Sequence, residues 1–165
     1  MSFIPITNSF RGISDRTTHQ QLLYHVVFST KNRKPYLQNK TFREEVFRYL
    51  AGTIEGLGAK SLIVGGYVDH VHLLVRLPAK ECVSKIVGQI KSSTSLHINA
   101  NSNQIQKFGW QDGFGVFTLS SSDKDRVYHY IATQEEHHSG RSFEEEYRSL
   151  LEENEVMYDE KYLFD

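Results

Sequence analysis

Alternating apolar and polar residues mark four short segments of the chain, and apolar residues at wider spacing mark two longer ones. Strict alternation is typical of strands with one buried face, whereas a spacing of three to four residues is typical of amphipathic helices. The predicted strands cover residues 20–31, 60–68, 70–77 and 116–120. The predicted helices cover residues 39–57 and 83–98. The order is therefore strand, helix, strand, strand, helix, strand.

This order predicts an α+β, ferredoxin-like fold, in which a four-stranded antiparallel sheet carries both helices on one face. The second face of the sheet is then expected to be uncovered. Two further helices are predicted, one from Asp123 to about Glu136 and one from Ser142 to Glu153, with a capping box for the first at residues 122–125. Residues 1–19 show no pattern, so we expect a flexible arm before a single domain that spans residues 20–165.

The third predicted strand carries two histidines on one face and an apolar row on the other. His70 and His72 are two residues apart, so they project from the same side, about 7 Å apart. The opposite row needs a core and consists of Val71, Leu73, Val75 and Leu77. Two imidazoles on the free face can share one metal ion or flank one phosphate. A pair from one strand cannot complete a metal site, so a third ligand has to come from elsewhere.

The helix that begins at Asp123 offers such a ligand. Tyr130 and Gln134 are four residues apart and are therefore neighbours on one helix face. A tyrosine above a metal-bound phosphate can attack it, and an amide oxygen can serve as the third ligand. The alternative for Tyr130 is ordinary packing between helix and sheet. Tyr128 lies about 200° further around the helix, so it cannot face the same site as Tyr130.

Charge is divided unevenly along the chain, whose formal net charge is −1. Residues 1–134 hold 16 Lys and Arg against nine Asp and Glu, and residues 135–165 hold three against 11. The basic part is compatible with a nucleic-acid partner, and the acidic part is typical of a solvated helix. The predicted phosphate contacts are Lys31, Arg33, Lys34 and Lys91. His25 faces away from the apolar side of the first strand. Three roles are open for it: a contact to DNA, a partner of the other histidines, or no functional role.

The single cysteine, Cys82, excludes an intrachain disulfide and indicates a reducing compartment. No apolar run approaches the roughly 20 residues that span a bilayer, and no signal-peptide pattern opens the chain. We therefore expect a cytoplasmic protein.

Four segments occur in an order that resembles one family. They are Tyr-His-Val-Val-Phe-Ser-Thr-Lys at 24–31, Asp-His-Val-His-Leu-Leu-Val at 69–75, Trp-Gln-Asp-Gly-Phe-Gly at 110–115, and Tyr-Ile-Ala-Thr-Gln-Glu-Glu-His-His at 130–138. The chain resembles the small single-tyrosine transposases of the HUH superfamily, which move insertion sequences as single-stranded DNA. It is also similar to their relatives associated with repetitive extragenic palindromes.

The resemblance implies a specific chemistry. His70 and His72 would bind Mg²⁺ or Mn²⁺ with Gln134 completing the site, and Tyr130 would attack single-stranded DNA to form a 5′-phosphotyrosine link and a free 3′-OH. The implied partner is a DNA hairpin, recognised by the basic sheet edge and turn. Insertion-sequence members form homodimers in which one chain's tyrosine helix completes the other chain's site, whereas palindrome-associated relatives can act as monomers. The sequence leaves both arrangements open.

Two other functions explain parts of the same pattern. A non-catalytic module similar to an RNA-recognition motif would stack bases on an open sheet, but the third strand offers His70, His72, Leu74 and Arg76 there instead of aromatic residues. A histidine-triad hydrolase needs a third alternating histidine, and that position is Leu74.

Overall fold

The computed structural model describes residues 19–101, 107–137 and 140–164 of the chain. The predicted N-terminal arm lies outside these ranges except for its last residue. The strands are β1 (Leu23–Ser29), β2 (Lys60–Gly66), β3 (His70–Arg76) and β4 (Gly115–Leu119). The helices are α1 (Lys40–Gly56), α2 (Val83–Asn101), α3 (Lys124–Ala132), α4 (Gln134–His137) and α5 (Phe143–Glu153), with short 3₁₀ helices at Lys31–Arg33 and Glu160–Tyr162.

The four strands form one antiparallel sheet in the order β2-β3-β1-β4, which confirms the predicted ferredoxin-like α+β fold. In the pairing of β1 with β3, Val27 lies opposite His72 and Ser29 lies opposite His70. Residues opposite each other in an antiparallel pair point to the same face. His25, which is two residues before Val27, therefore shares the face of the two β3 histidines.

The first face of the sheet packs against α1 and α2 and forms the main core. The predicted apolar row of β3 lies in this core, together with Val26 and Phe28 of β1. Val46, Leu50 and Ile54 come from α1, and Ile86, Val87 and Ile90 come from α2. Their spacing of three and four residues explains why both helices present one apolar side to the sheet.

The second face is also covered, so the prediction of an uncovered face is wrong. α3 packs Val127 and Ile131 against Leu74 of β3. α5 packs four side chains near Val27 of β1 and Phe117 of β4, namely Phe143, Tyr147, Leu150 and Leu151. The many acidic residues of α5 suggested a solvated helix, but its apolar stripe is wide enough to require burial.

The predicted helix from Asp123 to Glu136 is divided in two. α3 ends at Ala132, and the Thr133 N–H bonds to the His129 carbonyl before α4 begins at Gln134. The predicted capping box is also wrong, because Asp123 makes no side-chain cap and instead accepts a hydrogen bond from the Ser120 hydroxyl at 2.6 Å. A capping box does occur at the start of α5, between Ser142 and Glu145.

Candidate active site

His70 and His72 lie side by side on β3, and both are fully buried. Their rings are nearly perpendicular, with centroids 5.1 Å apart. The Nδ1 of His70 is 2.7 Å from an Asp69 carboxylate oxygen. Because a carboxylate only accepts hydrogen bonds, Nδ1 donates, and in the neutral imidazole Nε2 keeps its lone pair for another partner.

His25 holds His72 in a similar way. Its Nε2 is 2.9 Å from the Nδ1 of His72, and the two rings are stacked with centroids 5.1 Å apart. Burial is the main reason that the pKa of His25 falls to about 3, and the nearby His72 lowers it further. His25 is therefore neutral at physiological pH and can accept a hydrogen bond from His72 Nδ1. Of the roles that the sequence left open for His25, this contact favours that of partner to the other histidines.

The break after α3 places Tyr130 and Gln134 beside the two histidines of β3. The Tyr130 ring centroid lies 5.8 Å from that of His72, and the Gln134 amide oxygen lies 3.2 Å from Nε2 of His70. Gln134 is buried, whereas Tyr128 on the same helix is 46% exposed. The structure thus brings together the four residues expected to form the site, and their chemical roles stay predictions.

Glu146 of α5 also lies at the centre of the site, and the sequence reasoning missed it. Its carboxylate accepts hydrogen bonds from the Tyr130 hydroxyl and from the Gln134 amide nitrogen, the latter at 2.9 Å. Its two oxygens lie 3.5 Å from Nε2 of His70 and 3.5 Å from Nε2 of His72.

One signal in the sequence could have identified Glu146. It is the one charged residue among the buried positions of α5, which are Phe143, Glu146, Tyr147, Leu150 and Leu151. A carboxylate on an apolar stripe is costly unless it has polar partners, so it indicates a buried site rather than a solvated face.

The electrostatics of the site oppose ionisation of Tyr130. Burial raises the pKa of its phenol well above the usual value, and the negative Glu146 carboxylate raises it further. A positive charge close to the phenol oxygen would act in the opposite direction.

The buried donor set fits a divalent cation. One ligand atom from each of His70, His72 and Glu146 lies within 4.8 Å of the others, and all three side chains are buried. Imidazole nitrogen and carboxylate oxygen are ordinary ligands of divalent transition metals, and Mg²⁺ prefers oxygen. Gln134 is the neutral alternative to Glu146 as the third ligand.

Two of the predicted phosphate-contacting residues, Lys31 and Lys91, contact the segment before β4. Lys31 forms an ion pair with Asp112 at 3.1 Å, and Lys91 donates to the carbonyls of Asp112 and Gly113, both at 2.9 Å. Partial burial lowers the pKa of Lys91 to about 8. Lys31 of the turn after β1 and Lys91 of α2 therefore meet at the segment before β4.

Arg33, in the turn after β1, instead contacts the C-terminal part of the chain. Arg33 forms an ion pair with Glu144 of α5 at 2.7 Å and lies over the Phe164 ring, whose centroid is 4.8 Å from the guanidinium carbon. Lys34 follows in the same turn, and its carbonyl accepts a hydrogen bond from the Thr30 hydroxyl at 2.6 Å.

Comparison with known families decides what this arrangement belongs to. The family model described as "Transposase IS200 like" matches residues 18–134, which include β1–β4, His70, His72, Tyr130 and Gln134. The chain belongs to this family. The match ends before α5, so the helix that carries Glu146 lies outside the part of this IS200-like transposase that the family model describes.

The following two are among the solved structures that share the fold. A candidate transposase from Deinococcus radiodurans R1 is 20% identical, with a TM-score of 0.58, and the match covers 74% of this chain and 98% of that one. A tyrosine transposase associated with REP sequences, solved with a REP hairpin bound, is 15% identical, with a TM-score of 0.56, and the match covers 78% of this chain and 74% of that one. No curated protein matches the sequence. Among the described residues, no helix has the length and apolar character needed to cross a membrane.

Proposed function

We propose that this IS200-like transposase cleaves and rejoins single-stranded DNA at hairpin-containing ends through a 5′-phosphotyrosine intermediate. The observation that carries the proposal is the convergence of a tyrosine hydroxyl and two imidazoles on one buried carboxylate, that of Glu146. Incidental packing of Tyr130 between helix and sheet would require no such convergence.

In the proposed reaction, the Tyr130 hydroxyl oxygen attacks the scissile phosphorus. A bond forms between this oxygen and the 5′-phosphate, the bond from phosphorus to the 3′ oxygen breaks, and the 3′ oxygen leaves as a hydroxyl after it takes up a proton. The phenol proton leaves along the hydrogen bond to Glu146. A 3′-OH can later attack the phosphotyrosine and restore the phenol, so rejoining needs no external energy source.

The proposed cofactor is Mg²⁺ or Mn²⁺, held by His70 and His72 together with an oxygen ligand that the sequence assigns to Gln134. When bound, such an ion supplies positive charge that polarises phosphoryl oxygens and favours the phenolate. Asp69 orients the imidazole of His70, and His25 orients that of His72, as outer partners of metal-binding histidines commonly do.

The proposed partner is a DNA hairpin with a single-stranded flank. The REP-associated structural neighbour was solved with a REP hairpin bound, and the same kind of partner fits the basic residues of this chain. A stacking module similar to an RNA-recognition motif is disfavoured, because α3 and α5 cover the sheet face on which bases would stack.

Tyr130 approaches histidines of its own chain, which supports assembly of the site in cis. This arrangement supports a protein that can cleave as a monomer. The predicted homodimer stays a prediction, and the dimer would not need to exchange tyrosine helices to build a site.

The test is incubation with single-stranded DNA from the ends of the encoding locus in the presence of Mn²⁺. We expect a covalent protein–DNA adduct with wild-type protein, attached at position 130, and none with Tyr130→Phe, which should still bind the hairpin. Tyr128→Phe is the matched control on the same helix and should form the adduct normally.

Two results would overturn the proposal. One is an adduct that persists in Tyr130→Phe, and the other is hairpin binding by the wild type without an adduct at any strand end tested. The second result would identify the chain as a binding module.

A further inference from the structure

We propose that Glu146 is the third metal ligand of this site, and that Gln134 is a positioning residue that holds the Glu146 carboxylate. The inference rests on the proposed function, because it concerns the metal that the proposed reaction uses. It differs from the prediction made from the sequence, which assigned the third ligand to Gln134.

The spacing between Glu146 and the two imidazoles supports its role as a ligand. Neighbouring ligands about 2.1 Å from one octahedral ion lie roughly 3.0 Å from each other. One Glu146 oxygen lies 3.5 Å from Nε2 of His70, and the other lies 3.5 Å from Nε2 of His72. Each Glu146 oxygen is therefore close to the spacing of neighbouring ligands from one of the two imidazoles.

The hydrogen bonds of His70 also support a cation at this place. Because His70 donates from Nδ1 to Asp69, its Nε2 turns a lone pair towards the Gln134 amide oxygen at 3.2 Å and a Glu146 oxygen at 3.5 Å when the ring is neutral. Three acceptor atoms that converge in this way favour a cation between them, and of the two oxygens only that of Glu146 belongs to a carboxylate.

The charge of a divalent ion in this buried site favours a carboxylate among its ligands. A divalent ion bound only by two imidazoles and an amide would keep its full charge inside a buried site, which is costly. The carboxylate of Glu146 removes one unit of that charge. The Gln134 amide nitrogen donates to the same carboxylate at 2.9 Å, which fixes the carboxylate's orientation.

Two imidazoles and one carboxylate form a donor set that suits Mn²⁺ and other transition ions better than Mg²⁺. The inference therefore also predicts that the protein prefers Mn²⁺ to Mg²⁺. It further implies that α5, which lies beyond the segment matched by the family model, supplies part of the metal site.

The experiment measures metal binding directly, by titrating the full-length protein with Mn²⁺ and following the loss of the free-ion signal in electron paramagnetic resonance. We expect Glu146→Gln, which keeps the side-chain shape, to weaken Mn²⁺ binding by at least about tenfold, because even the loss of an outer partner commonly costs that much. Glu153→Gln removes the same charge from an exposed position of α5 and should bind Mn²⁺ like the wild type.

Glu146→Cys in a Cys82→Ser background gives a second readout. A thiolate that binds Cd²⁺ produces an ultraviolet charge-transfer band, and position 146 would then carry the chain's one thiol. We expect the band to appear with Glu146→Cys and to disappear when His70→Ala is added. A purely structural role of Glu146 would give no band.

The outcomes separate this inference from the proposed function. If Glu146→Gln binds Mn²⁺ like the wild type while Gln134→Ala and His70→Ala do not, Gln134 is the ligand and the inference is wrong, although the nuclease proposal stands. If Mn²⁺ binding depends on Glu146 but no DNA adduct forms, the metal site is correct and the nuclease proposal is wrong. Circular dichroism and thermal unfolding without metal identify any variant that has not folded.

Discussion

Gly65 of β2 lies directly beneath Ile131 of α3, so close that a side chain at position 65 has no room. A Cβ built there would be 2.6 Å from the Ile131 carbonyl oxygen and 2.7 Å from its Cγ2 atom. Gly65 is also the strand partner of His72. The close approach therefore sets the distance between the helix that carries Tyr130 and the strands that carry the histidines.

We expect Gly65→Ala to push α3 away from the sheet. The free energy of unfolding should fall by about 1–3 kcal/mol, which is typical of overpacking. The yield of DNA adduct should fall more than stability alone explains, because Tyr130 moves with α3. Denaturant unfolding and a single-turnover cleavage assay measure the two effects. Gly52→Ala, at an exposed position of α1 with nothing within 4 Å of the new Cβ, should leave cleavage unchanged.

His25 should contribute to metal binding without touching the metal. His25→Phe keeps an aromatic ring in the stack but removes the hydrogen bond to Nδ1 of His72, so Mn²⁺ affinity should fall by about 10–100-fold. Isothermal titration with Mn²⁺ measures this change. His97→Phe, on the exposed side of α2, is the control. Equal affinities for wild type and His25→Phe would show that His72 needs no partner at Nδ1.

Lys31 should contribute to DNA affinity through charge alone. Each phosphate contact on a single strand adds about 0.7 to the slope of log K against log salt concentration, and duplex contacts add about 0.9. Lys31→Ala should reduce the slope by roughly that amount for every sequence tested. Lys80→Ala removes an exposed lysine from the loop between β3 and α2 and should leave the slope unchanged. An unchanged slope in Lys31→Ala would remove Lys31 from the DNA interface.

Lys91 should make stability depend on pH under alkaline conditions. Its pKa is about 8 in the folded protein, below its ordinary value of 10.5, because burial disfavours the charged form. Between these values the unfolded chain binds more protons, so the free energy of unfolding should rise with pH from about 8 to 10.5. Below pH 8 the cost of the buried charge is fully present. The difference in stability between wild type and Lys91→Met, followed by urea unfolding across this range, isolates the contribution of Lys91.

Mixing two inactive variants tests the cis arrangement. Tyr130→Phe keeps the histidine pair, and His70→Ala keeps the tyrosine. If each chain builds its own site, as the approach of Tyr130 to His72 in one chain indicates, the mixture should form no adduct. Restored cleavage in the mixture would show that a partner's tyrosine helix completes the site, and light scattering would then report the dimer.

The order of strands and helices could be predicted because each element divides sharply into an apolar and a polar side. The row from Val71 to Leu77 required a core, which left His70 and His72 on the other face. The distance of four residues between Tyr130 and Gln134 placed both on one side of a helix, although the break at Thr133 left no recognised sequence signal. Local spacing was therefore enough for most of the fold.

The contribution of α5 could not be predicted in the same way. Three consecutive glutamates at 144–146 are typical of a solvated helix face, and only their tertiary contacts give them different roles. Glu144 pairs with Arg33, Glu145 caps its own helix, and Glu146 enters the site. The apolar stripe of α5 indicates that Glu146 is on the buried side, but the residues that Glu146 meets there come from distant parts of the chain, so its partners are not encoded locally.

The capping box at the start of α5 has a consequence for the interior of the protein. The Ser142 hydroxyl accepts from the Glu145 N–H, and the Glu145 carboxylate accepts from the Ser142 N–H, so this helix begins at a defined residue. A start one residue earlier or later would rotate every following side chain by about 100° around the axis. Two surface hydrogen bonds thus help to fix the start of this helix, so a serine exposed to water influences where the glutamate next in sequence places its negative charge inside the molecule.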